Sequence, residues 1–311
     1  MNNKIKKINL THSFIFFLFS NIFSLIILRF NNFNISPLIC LLLILTIGVS
    51  HGSLDHVKGK KLFNILNINN IVIFYFSYIL FAILVIIIWV LTPFISLIIF
   101  LLVASYHFGK EDTQFLINEK SYFNQILFFL KGLLIIIAPM FFHFNETIAI
   151  FKLLLVDNEI FYSSLEFIEV NKILPIAIIL SSLSSICLFL RKFEIKKFIV
   201  FLDYFSILLL NYYLTPLVAF TVYFCFLHSI RHSITLIYEI DKNDFKNGLK
   251  VFGQKALPLT VLTTIFCLIG LYLLSNNYNF DSSILKIIFI GLASLTFPHI
   301  LLEYFLEKNE K

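Results

Sequence analysis

Charge is what this sequence has least of. Asp, Glu, Lys and Arg make up only 14% of its 311 residues, against 59% hydrophobic. An ordinary soluble domain carries about 25% charged residues, so a water-soluble globule is excluded. Glycine is scarce as well, and the bias toward Ile, Phe, Asn and Lys reflects an A/T-rich genome more than a function. The four cysteines, Cys40, Cys187, Cys225 and Cys267, stand alone in apolar runs without a CxxC pair, and they are read as small buried hydrophobes. No small-residue cleavage site follows the first apolar run, so no cleavable signal peptide is expected behind Lys4, Lys6 and Lys7. No low-complexity tract or internal repeat stands out. The net charge of +6 is scattered over short segments between apolar runs. That is a pattern of membrane topology, and no nucleic-acid partner is expected.

What the chain does have is apolar runs of about the 20 residues that cross a bilayer core. They recur along its whole length, so residues 1–311 are read as a single integral membrane domain. The expected fold is all-α, a polytopic transmembrane helical bundle of about ten spans, or eight if the 94–143 region is miscounted. The expected spans are 11–29, 36–56, 71–92, 94–108, 122–143, 173–190, 197–214, 216–239, 256–275 and 284–306. Pro93, Pro216 and Pro258 are read as helix starts, where a missing N–H costs little.

The loops supply an orientation. On this count, eighteen Lys and Arg fall on the side of the N-terminus, including Lys58, Lys60, Lys61, Lys110, Arg191, Lys192, Lys196 and Lys197. The other side receives four, Arg29, Lys152, Lys172 and Lys286, and its longest loop carries Asp157, Glu159, Glu166 and Glu169. The positive-inside rule then places both termini in the cytoplasm, in a multi-pass protein of the cell membrane.

Ionisable residues within spans are costly and normally face the protein interior, so they are the site candidates. His51 and His56 end span 2 in His-Gly-Ser-Leu-Asp-His, and His107 ends span 4 in Ser-Tyr-His-Phe-Gly-Lys-Glu-Asp. His228 and His232 lie in span 8 in His-Ser-Ile-Arg-His, and His299 lies in span 10 in Pro-His-Ile-Leu-Leu-Glu. Four segments distant in sequence therefore deliver histidine to one depth on one side. His143 falls at the opposite end of its span, and His12 is read as a lone interfacial residue.

His228 and His232 are four residues apart on a helix, so their Cβ atoms lie about 5–6 Å apart on one face and both rings can reach one metal. The plain alternative is a pair of hydrogen-bonded interior histidines. Neutral imidazoles suit Zn, Cu or Fe, and a site with open positions suits an iron that must admit oxygen. Asp55 and Glu303 stand four residues from His51 and His299, and are expected to orient ligand imidazoles through the second ring nitrogen. Glu111 and Asp112 share that option but are read first as solvated loop residues. Tyr106 and Tyr223 are candidate pocket residues.

At these segments, from about residue 45 to the end, the sequence resembles the Brp/Blh family of membrane β-carotene dioxygenases. The four motifs occur in the family's order; Ser50 stands where the family often has proline. The resemblance implies a non-haem Fe(II) centre that uses O2 to cleave the central 15,15′ double bond of β-carotene into two molecules of retinal, a product used by microbial rhodopsins. It also implies His51, His107, His228 and His232 as iron ligands. His56, Asp55, His299, Glu303, Tyr106 and Tyr223 are then supporting or substrate-pocket residues. Two rival classes share part of the pattern. A di-iron desaturase or hydroxylase needs more histidines, with adjacent pairs. An ion-coupled transporter favours a midplane site and a repeat.

Overall fold

The computed structural model describes residues 3–29, 35–116, 121–190 and 195–309. Among the described residues all regular structure is helical. In order these are α1 (Asn3–Arg29), α2 (Pro37–Leu43), α3 (Asp55–Ile65), α4 (Ile71–Leu91), α5 (Pro93–Glu111), α6 (Tyr122–Phe142) and α7 (Phe144–Leu153). Then come α8 (Glu159–Val170), α9 (Ile173–Leu190), α10 (Ile195–Tyr213), α11 (Pro216–Val222), α12 (Ile230–Ile240), α13 (Phe245–Ser275) and α14 (Phe280–Asn309). Two joints depart from α geometry. A π-helical turn (Ile44–Gly48) and a 3-10 turn (Val49–Leu54) link α2 to α3, and a π-helical stretch (Tyr223–Ser229) links α11 to α12.

Helix starts follow local chemistry. Ser36, Asn70, Ser121 and Asn158 cap α2, α4, α6 and α8 by accepting a backbone N–H two or three residues on. Pro93 and Pro216 open α5 and α11 as expected. Pro258 does not open a helix. Asp244 caps Lys246 and Asn247 well upstream, so α13 is already running when it reaches Pro258, where only one carbonyl loses its partner.

Seven helices are long and apolar enough to cross a membrane among the described residues, or up to nine if each of two bent pairs is one span. The pairs are Pro37–Gly48 with Gly52–Ile65, bent by 41°, and Glu159–Val170 with Ile173–Cys187, bent by 75°. Helices lie at every expected position, but the number that qualify as spans is seven to nine rather than ten. The span expected at 197–214 corresponds to α10, several of whose side chains lie outside the described residues. The long acidic connection before α9 is not a plain loop. It folds into α7 and α8, whose Phe151, Phe161 and Leu165 are buried.

Helices pack most closely where glycine removes the side chain. A Cβ at Gly109 of α5 would lie 1.8 Å from Phe128 O of α6, and one at Gly132 would lie 1.8 Å from Ser105 O. The two backbones therefore touch, in the small-residue mode that membrane helices use. This crossing fixes the C-terminal end of α5, which carries His107. The most enclosed segment is Pro216–Ile240, while α4 and α13 turn most of their surface outward.

Candidate metal centre

Five elements bring their polar side chains to one place: α3, the end of α5, the π-helical stretch, α12 and α14. The rings of His107 and His228 have centroids 5.4 Å apart, those of His107 and His299 5.5 Å, and those of His232 and His299 5.8 Å. All four histidines are buried. His107 thus sits between His228 and His299, with His232 beyond His299.

Carboxylates hold three of these rings from behind. Asp112 Oδ1 lies 3.3 Å from His228 Nδ1, Glu111 Oε2 2.8 Å from His232 Nδ1, and Asp55 Oδ1 2.8 Å from His299 Nδ1. A carboxylate accepts, so Nδ1 carries the proton and Nε2 becomes the basic nitrogen of each ring. The carboxylates are themselves anchored: Tyr223 OH donates to Asp112 Oδ2 and Tyr78 OH to Asp55 Oδ2, each at 2.7 Å. Phe108 and Phe224 close over His228, with centroids 4.7 and 5.8 Å from its ring.

Glu303 completes the group. Its Oε1 lies 3.5 Å from His299 Nε2 and 3.8 Å from His232 Nε2. The ligand atoms of His232, His299 and Glu303 all fall within 4.8 Å of one another. Metal–ligand bonds to such atoms run to about 2.0–2.2 Å, so a bound ion would draw these side chains inward only slightly. The donor set, imidazole nitrogens with one carboxylate oxygen, is that of non-haem Fe(II) oxygenases. The residues present fit the metal.

Behind His228 runs a buried ion network. Arg231 Nη1 lies 3.0 Å from Asp203 Oδ2 and donates to Asp112 O at 2.9 Å, while Nη2 donates to Ser13 Oγ at 2.7 Å. The guanidinium also stacks over Phe115, 5.3 Å from its centroid. One arginine thereby ties α1, α10 and the end of α5 to α12.

Several expectations are altered here. Glu111 and Asp112, read first as solvated loop residues, are 8% and 3% exposed. The reason is that α5 continues through Glu111 under its close crossing with α6, and Asp112 caps it facing inward. His12 is not a lone interfacial residue: it is half-buried, and its Nε2 bonds Phe226 O at 2.9 Å. His143 is apart from the cluster, paired with Glu146 at 3.7 Å.

The remaining candidates lie as follows. His51 falls in the turn Val49–Leu54, but its side chain lies outside the described residues. His56 Nδ1 turns back to Ser53 O at 3.0 Å. Tyr106 points to α6, where its hydroxyl donates to Gln125.

Sequence reasoning gave no role to Tyr78, Lys58 or Asp203. Lys58 follows Asp55 by three residues, a spacing that shares a helix face. Asp203 and Arg231 were visible as opposite charges within spans, which seldom remain unpaired.

The chain matches the family model described as Beta-carotene 15,15'-dioxygenase over residues 42–307, a range that includes every element of the histidine cluster. The chain belongs to this family. A protein named Beta-carotene 15,15'-dioxygenase, from Uncultured marine bacterium 66A03, is 28% identical over 271 residues, covering 84% of this chain and 90% of that protein. No solved structure matches the chain. Within the beta-carotene 15,15'-dioxygenase family, a family of oxidoreductases, the four resembling segments now have a common location. Each contributes a side chain to the cluster or to the carboxylates behind it.

Proposed function

We propose that this protein is a non-haem Fe(II) dioxygenase of the cell membrane that cleaves the central double bond of β-carotene with O2. One oxygen atom goes to each new carbonyl, so both atoms of O2 are used and two molecules of retinal form without an external reductant. The observation that carries this reading is the set of carboxylate-held imidazoles, enclosed by helices whose outer faces are apolar. Family membership supports it over a desaturase or an ion-coupled transporter. Passing the retinal to a microbial rhodopsin is a fitting use of the product.

The proposed ligands are His51, His107, His228 and His232, and the ligand atoms of His299 and Glu303 gather with that of His232. Bound there, Fe(II) would supply the binding and activation of oxygen. The chain's own residues do the rest. Asp112 and Glu111 fix the ring planes of His228 and His232 and keep their protons on Nδ1. Asp55 does the same for His299, held in turn by Tyr78. Phe108 and Phe224 keep bulk water from His228. A carotene is nearly insoluble in water, so the bilayer is its reservoir, and the apolar exterior of the bundle receives it there.

The test is expression of the full chain in β-carotene-producing cells. The expected result is loss of orange colour with appearance of retinal. His228→Ala or His232→Ala should abolish the change and lower the iron bound to purified protein. Unchanged carotene beside membrane-inserted, iron-loaded wild-type protein would refute the proposal.

A further inference from the structure

A lysine stands on the carboxylate side of the candidate metal centre, where a second cation is least expected. Lys58 Nζ lies 2.7 Å from Glu303 Oε1 and 3.4 Å from His232 Nε2. That same Glu303 oxygen faces the Nε2 atoms of His299 and His232 at 3.5 and 3.8 Å. One carboxylate oxygen therefore serves both as the salt-bridge acceptor of Lys58 and as the acidic member of the group that can hold a metal.

The helix explains how the lysine gets there. Asp55, which holds His299, and Lys58 are three residues apart on α3 and share a face. The lysine also has somewhere to go. Its side chain is 18% exposed and that of Glu303 14%, whereas the histidines beneath are at most 7%. One turn further along α14, Glu307 pairs with Lys110 at 2.5 Å and is 44% exposed. The two ion pairs step from the cluster to the surface.

A buried carboxylate without a counter-charge is strongly unfavourable, and so is a divalent ion beside an ammonium group. Both conditions are met if the two cations take turns. We propose that Lys58 is a resident counter-cation that competes with the metal for Glu303. In the metal-free protein the Lys58 ammonium holds the carboxylate. When a divalent ion enters, Glu303 joins the proposed ligands through the oxygen that faces His232 and His299, and the ammonium swings outward toward water. The displacement lowers metal affinity and keeps the empty site neutralised. This rests on the metal-centre reading above.

The experiment is anaerobic Co(II) titration of the purified full chain in detergent, followed by ligand-field absorption, with thermal unfolding of each metal-free variant as a folding control. Lys58→Met should bind Co(II) about tenfold more tightly than wild type, and Glu303→Gln about tenfold or more weakly. Lys58→Arg keeps the charge and should stay near wild type. In the double variant Glu303→Gln should erase the gain from Lys58→Met, because no contested carboxylate remains. If Lys58→Met fails to fold, Lys58→Gln carries the same expectation.

A lysine that merely positions Glu303 predicts the opposite sign. Weaker or unchanged binding in folded Lys58→Met or Lys58→Gln would therefore overturn the inference. The metal-centre reading would survive that result as long as wild type binds Co(II) and His228→Ala does not. Wild-type protein that takes up no Co(II) would overturn both.

Discussion

Pro216–Ile240 and Phe245–Ser275 follow one another in the chain, and each qualifies as a membrane span, yet they do opposite things. The more apolar of the two, with mean hydropathy 2.2 against 1.3, has 6% of its most apolar stretch buried inside the protein, and the other has 72%. In water the ranking would be reversed. In a bilayer, lipid takes the place of the core, so the outward helix is the greasier and the enclosed helix can carry Tyr223, His228, Arg231 and His232. Low hydropathy in a span is thus a sign of centrality. It also locates the chemistry, since Tyr223, His228, Ser229, Arg231 and His232 of the inner span each have a partner from another element.

The contrast should break most severely at Arg231. Arg231→Met would leave Asp203 buried and uncompensated and would remove the donors to Asp112 O and Ser13 Oγ. A loss of about 3–5 kcal/mol is expected, read as a lower unfolding midpoint in detergent and poor accumulation in membranes. An unchanged midpoint would show that the inner span does not depend on its ion pair. Asp112→Asn is next. The Asp112 carboxylate touches the inner span twice, at Tyr223 and at His228, so metal affinity should fall about 10- to 100-fold while the fold persists. Equal Co(II) affinity in the variant would separate the carboxylate from the metal. The smallest effect belongs to the outer span. Ile265, 48% exposed on α13, should tolerate Val within about 0.5 kcal/mol; a larger shift of the unfolding midpoint would mean that α13 is covered by another protein surface.

Much of this was legible from residues alone. Composition gives the membrane class, and each expected span falls on a helix because apolar runs and capping residues are local signals. The histidine segments were legible because charge within a span is rare. The pairing of carboxylates with imidazoles was not. Asp112 reaches His228 across 116 positions of sequence, and nothing near Asp112 reveals that α5 runs on beneath its contact with α6. The same holds for His12, whose partner is a backbone carbonyl in the π-helical stretch. Lys58 was read only as a loop cation counting toward topology. Its meeting with Glu303 depends on α3 and α14 lying side by side. Pro258 misled because a strong cap upstream outweighs one missing hydrogen bond.

The π-helical stretch from Tyr223 to Ser229 has a consequence of its own. A π turn stores one residue more than an α turn holds, and each residue of an α-helix accounts for about 100° of rotation. Past this stretch the chain is therefore phased differently from the helix that entered it. Residues that an uninterrupted spiral would send to different neighbours, Tyr223 to Asp112 on one side and His232 to Glu111 on the other, are turned toward the same end of α5. The extra residue works as a gear tooth, letting a single rod mesh with the same partner on both sides of the break. Removing one residue there would unmesh the two halves while every contacting side chain kept its identity.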